Sequence, residues 1–553
     1  MKSPSSLSAA VLTLAASVFL VLAYNFRFWK VLIEATGGMD WARVPLHLAT
    51  FVILVLLFNA LLLVVTLPRV IKPVLIALFL ATSLASYFMN EYGISIDEAM
   101  IQAAFETDAR EATELLDWHM ALAVLFLGVA PSLVVWRIPL TFPTFRRGIL
   151  VHAGIIVISV SVAASLLLLC FKSLAPAFRE HRELRFLLAP TNYIHATRGF
   201  LKRKYSRPLV VAALGTDSAK GRLWRGHRRK TATVIVLGET ARAMNFSLNG
   251  YARNTNPELS KQQDLINFTN VSSCGTATAV SVPCVFSALG RQHYTETAAK
   301  SQQGLLDVLA HAGFAVLWRD NNTGCKGTCD RVQHEDWAQP VAGEPLCTLE
   351  ECFDERLLSG LPALIRSSPK DVVIVLHQKG SHGPAYWKRY PDSFGKWGPV
   401  CTTISLEKCS TESIVAAYDN TILYTDHFLS RTIDLLRKSS SDDGVDTAFV
   451  YFSDHGESLG EKHLYLHGAP YMIAPEEQRR VPLMVWLSEG FRKRFHIDTK
   501  CLNARTGQPF SHDNVFHSML GMLNVSTAVY NPALDIFHAC LLPRPADIAR
   551  YEK

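Results

Sequence analysis

Five long apolar stretches crowd the first 172 residues, at 7–24, 46–67, 74–89, 120–135 and 149–171. A helix that crosses a bilayer needs ~20 predominantly apolar residues, ~17 at the least. The second and fifth stretches meet this outright, and the third and fourth reach it with their flanks. Five such stretches in succession, nearly free of charge, are hard to pack into a water-soluble core. The first begins behind Lys2 and holds Ala15, Ala16 and Ser17, which are compatible with a cleaved leader. It continues into Phe26, Phe28 and Trp29 without a clear cleavage site, so it reads as an uncleaved anchor. The chain is 49% apolar with a mean hydropathy of +0.17 over 553 residues. That excludes a disordered chain, and the length excludes a small disulfide scaffold.

Charge orients the spans. Arg69 and Lys72 follow the second stretch, and Arg137, Arg146 and Arg147 precede the fifth. By the positive-inside rule these short loops face the cytoplasm. The loop between the third and fourth stretches carries Glu91, Asp97, Glu98, Glu106, Asp108, Glu111, Glu114 and Asp117 against one base, Arg110, and reads as external. Everything after residue 172 is then external too.

Cysteine usage agrees. Of 11 cysteines only Cys170 precedes residue 274. Ten in an external domain argue for disulfides. Local pairing would join Cys274 to Cys284, Cys325 to Cys329, Cys347 to Cys352 and Cys401 to Cys409, leaving Cys501 and Cys540. Spacing alone does not fix connectivity. A structural zinc site is the competing reading, but the pairs lack zinc-ribbon CxxC spacing.

Residues 172–230 hold 15 Lys and Arg against Glu180, Glu183 and Asp217, a net +12 in a chain of +7. The stretch 178–201 mixes Phe, Leu, Tyr and Ile with basic residues, as an interfacial helix drawn to anionic headgroups would. A plain solvated linker is the alternative. From residue 231 the pattern changes. Short β-branched runs at 231–237, 371–376 and 447–452, with helical stretches such as 411–437 between them, imply an α/β fold with a mostly parallel sheet. Sites in such sheets gather at the carboxyl ends of strands. The first run leads to Glu239, the second to His377 and His382, the third to Asp454, His455 and Glu457, with His467 shortly after. Oxygen and nitrogen donors of this kind suit Zn²⁺. Each residue alone is as well explained as a cap, an ion pair or a structural histidine; three strand ends together are not. In SSCGTATAVSVPCVF (272–286), Thr276, Thr278 or Ser281 could supply a nucleophile at a helix N-terminus, and an ordinary capping turn is the bland alternative.

Four blocks, VIVLGETARAMNFSLNGY, SCGTATAVSVPC, HQKGSHGPAYWKRYP and SDHGESLGEKHLYLHG, resemble the phosphoethanolamine transferases of Gram-negative inner membranes, including those that modify lipid A and are linked to polymyxin resistance. The resemblance spans the chain and places it in the alkaline phosphatase/sulfatase superfamily. It implies a membrane domain of five helices (1–172), a basic bridging segment (173–230) and a periplasmic sulfatase-like α/β domain (231–553). Glu239, Thr278, Asp454 and His455 would hold a catalytic zinc, with Thr278 the nucleophile. His382 and His467 would bind the transferred phosphate or a second zinc. Asn322 and Lys326 would contact phosphoethanolamine. Family members often carry Asn where this chain has Ala103, which leaves Glu106 the better membrane-domain candidate. The implied donor is phosphatidylethanolamine and the acceptor lipid A, handled by a monomer with no nucleic-acid partner. A core-sugar acceptor, a glycerophosphotransferase or phosphodiesterase, and a catalytically dead scaffold are the rival readings.

Overall fold

The computed structural model describes residues 6–91, 96, 101, 118–181, 184–205, 210–403, 406–461 and 464–542. The chain divides into two compact units, Met1–Pro208 and Leu209–Lys553.

The first unit is helical. Its elements are α1 (Ala9–Ala23), α2 (Phe26–Ala35), α3 (Val44–Val64), α4 (Ile71–Glu91), α5 (Trp118–Arg137), α6 (Phe145–Glu180) and α7 (Thr191–Tyr205). Helices α3 to α6 are each long and apolar enough to cross a membrane, and α1 with α2 makes a fifth if the pair is one broken span. The two are bent by 65°, so the N-terminal apolar run is not one straight helix. At 1.5 Å per residue α1 covers only about 22 Å, short of the ~30 Å hydrocarbon core. Asn25 sits at the break. Its buried amide donates to Leu20 O (2.8 Å) and Ala189 O (2.9 Å) and accepts from Ala189 N (2.8 Å). Leu20, Phe28, Phe58, Leu75 and Leu174 form the unit's core. Leu168 and Leu169 of α6 are 76% and 79% exposed, as lipid-facing leucines would be. The acidic loop lies almost wholly outside the described residues, and Glu106 with it.

The second unit is built on an eight-stranded sheet. Its strands are β1 (Thr231–Gly238), β2 (Ile266–Ser272), β3 (Ala315–Asp320), β4 (Gln333–Asp336), β5 (Val372–His377), β6 (Asp446–Ser453), β7 (Arg480–Leu487) and β8 (Phe510–Ser511). They lie in the order β8-β2-β7-β6-β1-β5-β3-β4. All pairings are parallel except those of β7 with β2 and β6. Alternation along β1 sends Ile235 and Leu237 into the core on one face and Val234 and Val236 into the core on the other. A strand covered on both faces has to be continuously apolar, and β1 is buried at all eight positions. One face carries α8 (Thr278–Val285); the other packs α9 (Thr411–Asp442), whose N-cap Ser410 Oγ accepts from Ser413 N at 3.2 Å. Register brings the ends of β1, β5 and β6 level, with Leu237 beside both His377 and Phe452.

Five disulfides close the loops: Cys274–Cys284, Cys325–Cys329, Cys347–Cys352, Cys401–Cys409 and Cys501–Cys540. Cys170 is the free cysteine. Non-reducing peptide mapping should return these five linked pairs and one thiol. Cys274→Ser with Cys284→Ser should cost about 2–5 kcal/mol, read as a lowered Tm and weaker protease resistance. An unchanged Tm would mean that this loop is held without its bridge.

Candidate active site

Glu239 follows β1 directly, and Asp454 and His455 follow β6. All three side chains are fully buried, and one ligand atom from each lies within 4.8 Å of the others. His455 Nε2 is 3.5 Å from Glu239 Oε1 and 3.4 Å from Asp454 Oδ2. Thr278 opens α8 and completes the group. Its hydroxyl lies 3.1 and 3.0 Å from the two Glu239 oxygens and 3.3 Å from His455 Nε2. The α8 N-terminus adds partial positive charge where this oxygen would become anionic.

Burial pushes the Glu239 carboxyl up to about 7, with the charge of Asp454 adding to the effect. Burial likewise pushes Asp454 up to about 6, against the backbone N–H of Thr240. Asp454 Oδ1 accepts from Thr240 N (3.1 Å) and His455 N (2.7 Å), while buried Oδ2 makes no hydrogen bond among the described residues. With its Nδ1 2.9 Å from Gly456 O, the His455 ring donates there and turns the Nε2 lone pair toward the carboxylates. Two dry carboxylates, an unspent carboxylate oxygen, an imidazole lone pair and a hydroxyl make a donor set that fits Zn²⁺, whose charge would offset the buried anions.

Two further histidines border this group. The His467 ring lies 4.4 Å from that of His455 and 5.8 Å from that of His382. His467 Nδ1 faces buried Glu457 Oε2 at 3.2 Å. The loop carrying His382 reaches the site because Gly380, at φ +51°, passes so close that a Cβ there would meet Glu239 O at 2.7 Å. Asp354 pins the same loop by accepting from Lys379 N (2.8 Å) and Gly380 N (3.0 Å). Two non-glycine residues at positive φ flank the site, Thr240 after Glu239 and Leu466 before His467. Such strain persists only where the surroundings over-determine it; Tyr418 OH holds Thr240 O at 2.7 Å.

The other candidates part company. Asn322, 8% exposed, spends its amide on Glu239 Oε2 (2.8 Å) and Gln378 O (2.9 Å). Lys326 Nζ donates to Thr323 O (2.6 Å) and Oγ1 (2.7 Å) in its own loop. Sequence reasoning placed His377 at a strand end but missed its partner Asp320, and it missed His512 and the bond of Ser281. His377 is the last residue of β5, fully buried, with Nδ1 2.9 Å from Asp320 Oδ2. Burial pushes Asp320 up, but the hydrogen bond and charge of His377, with Trp318 Nε1, more than offset it and leave the carboxyl at about 2. His512, pushed down to about 3 by burial, accepts from Cys274 N at 3.1 Å. Ser281 Oγ donates to Asp454 O. The run AVLWRDNN carried a usable signal, a short apolar strand ending in polar residues. His512 had none in its local pattern.

A mixed sheet with carboxylates and imidazoles at its strand ends, and a hydroxyl on the helix facing them, defines a sulfatase-type catalytic domain. The sulfatase family matches residues 231–525. The phosphoethanolamine transferase EptA/EptB family matches residues 54–205. Phosphoethanolamine transferase EptA of Escherichia coli K12 is 39% identical over 537 residues, covering 97% of each chain. Phosphatidylethanolamine transferase Mcr-1 of Escherichia coli is 36% identical over 542 residues, covering 94% of this chain and 96% of that one. The structure of the integral membrane lipooligosaccharide phosphoethanolamine transferase A of Neisseria meningitidis superposes with a TM-score of 0.65 at 32% identity, over 97% of this chain and all of that one. The chain belongs to the phosphoethanolamine transferase family.

Proposed function

We propose that the protein transfers phosphoethanolamine from phosphatidylethanolamine to a phosphate of lipid A, in the inner membrane with its catalytic domain in the periplasm. The observation that carries this reading is the Thr278 hydroxyl held against Glu239 and His455. One relative's name, a lipooligosaccharide phosphoethanolamine transferase, supports an acceptor of this class, while a Kdo(2)-lipid A phosphoethanolamine 7''-transferase of Escherichia coli K12, 27% identical over 74% of this chain, fits the rival sugar acceptor. The proposed organisation is a membrane part (1–172), a basic connector (173–230) and a catalytic part (231–553).

Glu239, Thr278, Asp454 and His455 would hold one zinc. Bound there, zinc supplies a Lewis acid that lowers the pKa of a hydroxyl and offsets phosphoryl charge. Glu239 accepts the Thr278 O–H and so fixes the direction of the Oγ1 lone pairs. Thr278 Oγ1 attacks the phosphorus, the bond to the diacylglycerol oxygen breaks, and diacylglycerol leaves with a proton. Phosphoethanolamine remains esterified to Thr278. An oxygen of a lipid A phosphate then attacks the same phosphorus and releases Thr278. His382 and His467 are placed to stabilise charge on the phosphoryl oxygens; a second zinc between them is the alternative assignment. Asn322 and Lys326 are proposed contacts of the phosphoethanolamine group, and Glu106 is the proposed membrane-domain contribution to the lipid site. The product carries an added ammonium beside a lipid A phosphate, which lowers its attraction for cationic peptides such as polymyxins.

The full-length protein, supplied with phosphatidylethanolamine, should leave a phosphoethanolamine mass increment on lipid A. Unmodified lipid A beside modified core sugar would move the acceptor to the core. Glycerol phosphate on the acceptor would identify a glycerophosphotransferase. Asn322→Ala, which frees Glu239 Oε2, should slow transfer about 10- to 100-fold, as loss of a ligand-orienting partner does. Circular dichroism should stay unchanged and metal content should fall. Wild-type rate with wild-type metal content would remove Asn322 from the site.

A further inference from the structure

Between Gly468 and Glu476 the chain reads APYMIAP, seven residues without a charge. It forms a tight turn in which Ile473 N donates to Pro470 O at 3.0 Å. Met472 at its tip is 94% exposed and Ile473 is 76% exposed. The base of the turn is rigid. Ala469 N donates to the Oε1 of fully buried Gln478 at 3.1 Å, and Ala474 is 4% exposed. Two adjacent large apolar side chains are therefore held out in water by a well-fixed base.

The base is also fastened to the nucleophile loop. Gly468 N donates to Thr276 O and Thr276 Oγ1 donates to Ala469 O, both at 2.6 Å. Tyr471 OH donates to Ser273 O at 2.9 Å. The Arg291 guanidinium stacks 3.1 Å from the centre of the Tyr471 ring, and Arg479 lies 5.5 Å from it. Arg480 comes next in sequence, while Glu476 and Glu477 are the acids of the region. Val280, two residues beyond Thr278 on α8, is 40% exposed.

We propose that this turn is a membrane-dipping tip, with Met472 and Ile473 entering the interface of a phospholipid bilayer and the arginines at its base meeting lipid phosphates. The occupant follows from the chain itself. The same polypeptide holds four or five helices apolar enough to cross a membrane, so a bilayer is always present at high effective concentration. An uncharged turn with an aromatic and two large apolar residues, backed by arginine, has the composition of an interfacial anchor. Because the base bonds to residues 273–276, lipid caught at the tip lies beside the loop that carries Thr276 and Thr278. Its use in delivering donor lipid rests on the proposed function.

The test uses the full-length protein in vesicles of phosphatidylethanolamine and phosphatidylglycerol. A benzophenone amino acid replaces Met472, and in a second protein Leu349, which is fully exposed elsewhere. Illumination should give lipid adducts at position 472 several-fold more often than at 349. Met472→Asp with Ile473→Asp should slow transfer from vesicle phosphatidylethanolamine about tenfold and leave transfer from a short-chain, detergent-dispersed donor unchanged. Equal lipid labelling at both positions, or adducts at 472 only to protein, overturns the proposal. Lipid adducts at 472 without any transfer would keep the tip and sink the proposed activity. Transfer that is insensitive to both aspartates, with no adduct, would do the reverse.

Discussion

Thr278→Ala should abolish phosphoethanolamine transfer, lowering the rate by about 10³-fold or more, since removing a covalent nucleophile leaves only binding and electrostatic assistance. The substitution is structurally mild. Thr278 is the first residue of α8, and its hydroxyl bonds to Glu239 and His455 beside the Asp454 carboxylate. Alanine favours the helix, so Tm should hold within a few degrees. Thr278→Ser keeps the oxygen and should retain activity within about tenfold, the methyl serving only to restrict the rotamer. Lipid A mass spectrometry distinguishes these outcomes, and a trapped phosphoethanolamine adduct on the tryptic peptide containing residue 278 should appear in wild type and in Thr278→Ser but not in Thr278→Ala. Transfer by Thr278→Ala at wild-type rate would move the nucleophile to another residue, and Ser281 would not replace it, because its Oγ is already spent on Asp454 O.

The parts of this site that were legible in the sequence sit where backbone pattern and chemistry coincide. A continuously apolar β-branched run such as TATVIVL can only be a buried strand, so the residue after it must lie at the sheet edge, and Glu239 does. The same argument places Asp454 and His455. It fails for the antiparallel pairing of β7 with β2, which joins residues more than 200 positions apart. It also fails for Asn322. Resemblance implies a contact with phosphoethanolamine, and the structure adds a bond from its side chain to Glu239 Oε2, a contact across 83 residues that no local pattern encodes. The first apolar run shows the same limit from the other side. Hydropathy marks residues 7–24 as membrane-soluble, but the 65° break follows α1 at Asn25, whose partner Ala189 is 164 residues away. The histidines separate for a related reason: His377 belongs to the strand and turns inward to Asp320, while His382, five residues on, belongs to the loop that Gly380 lets close over Glu239.

Removal of divalent metal should take transfer to background and destabilise the catalytic unit. Glu239 and Asp454 are both fully buried, and an ionised pair without a partner would be costly in so dry a place. Without a cation, burial, with the charge of Asp454 adding to it at Glu239, pushes their carboxyls up to about 7 and about 6, the direction expected of buried anions that lack a counter-charge. Asp454 Oδ2 is buried, accepts no hydrogen bond among the described residues and lies 3.4 Å from His455 Nε2. A site loaded at about 1,000 times its Kd stabilises the folded state by ~4 kcal/mol, which in a unit of this size is a Tm difference on the order of 8 °C. Chelation followed by dialysis should show that loss by differential scanning calorimetry. Zn²⁺ should restore both Tm and transfer, while Mg²⁺ and Ca²⁺ should not, because both favour all-oxygen sites of higher coordination number than a set containing His455 provides. Glu239→Gln should lower metal content and lose the rescue, as it removes the charge that holds the ion while keeping the side chain's shape. Full transfer by protein stripped to background metal content would mean that the buried carboxylates work as acids and bases in their own right, with Glu239 taking the Thr278 proton directly.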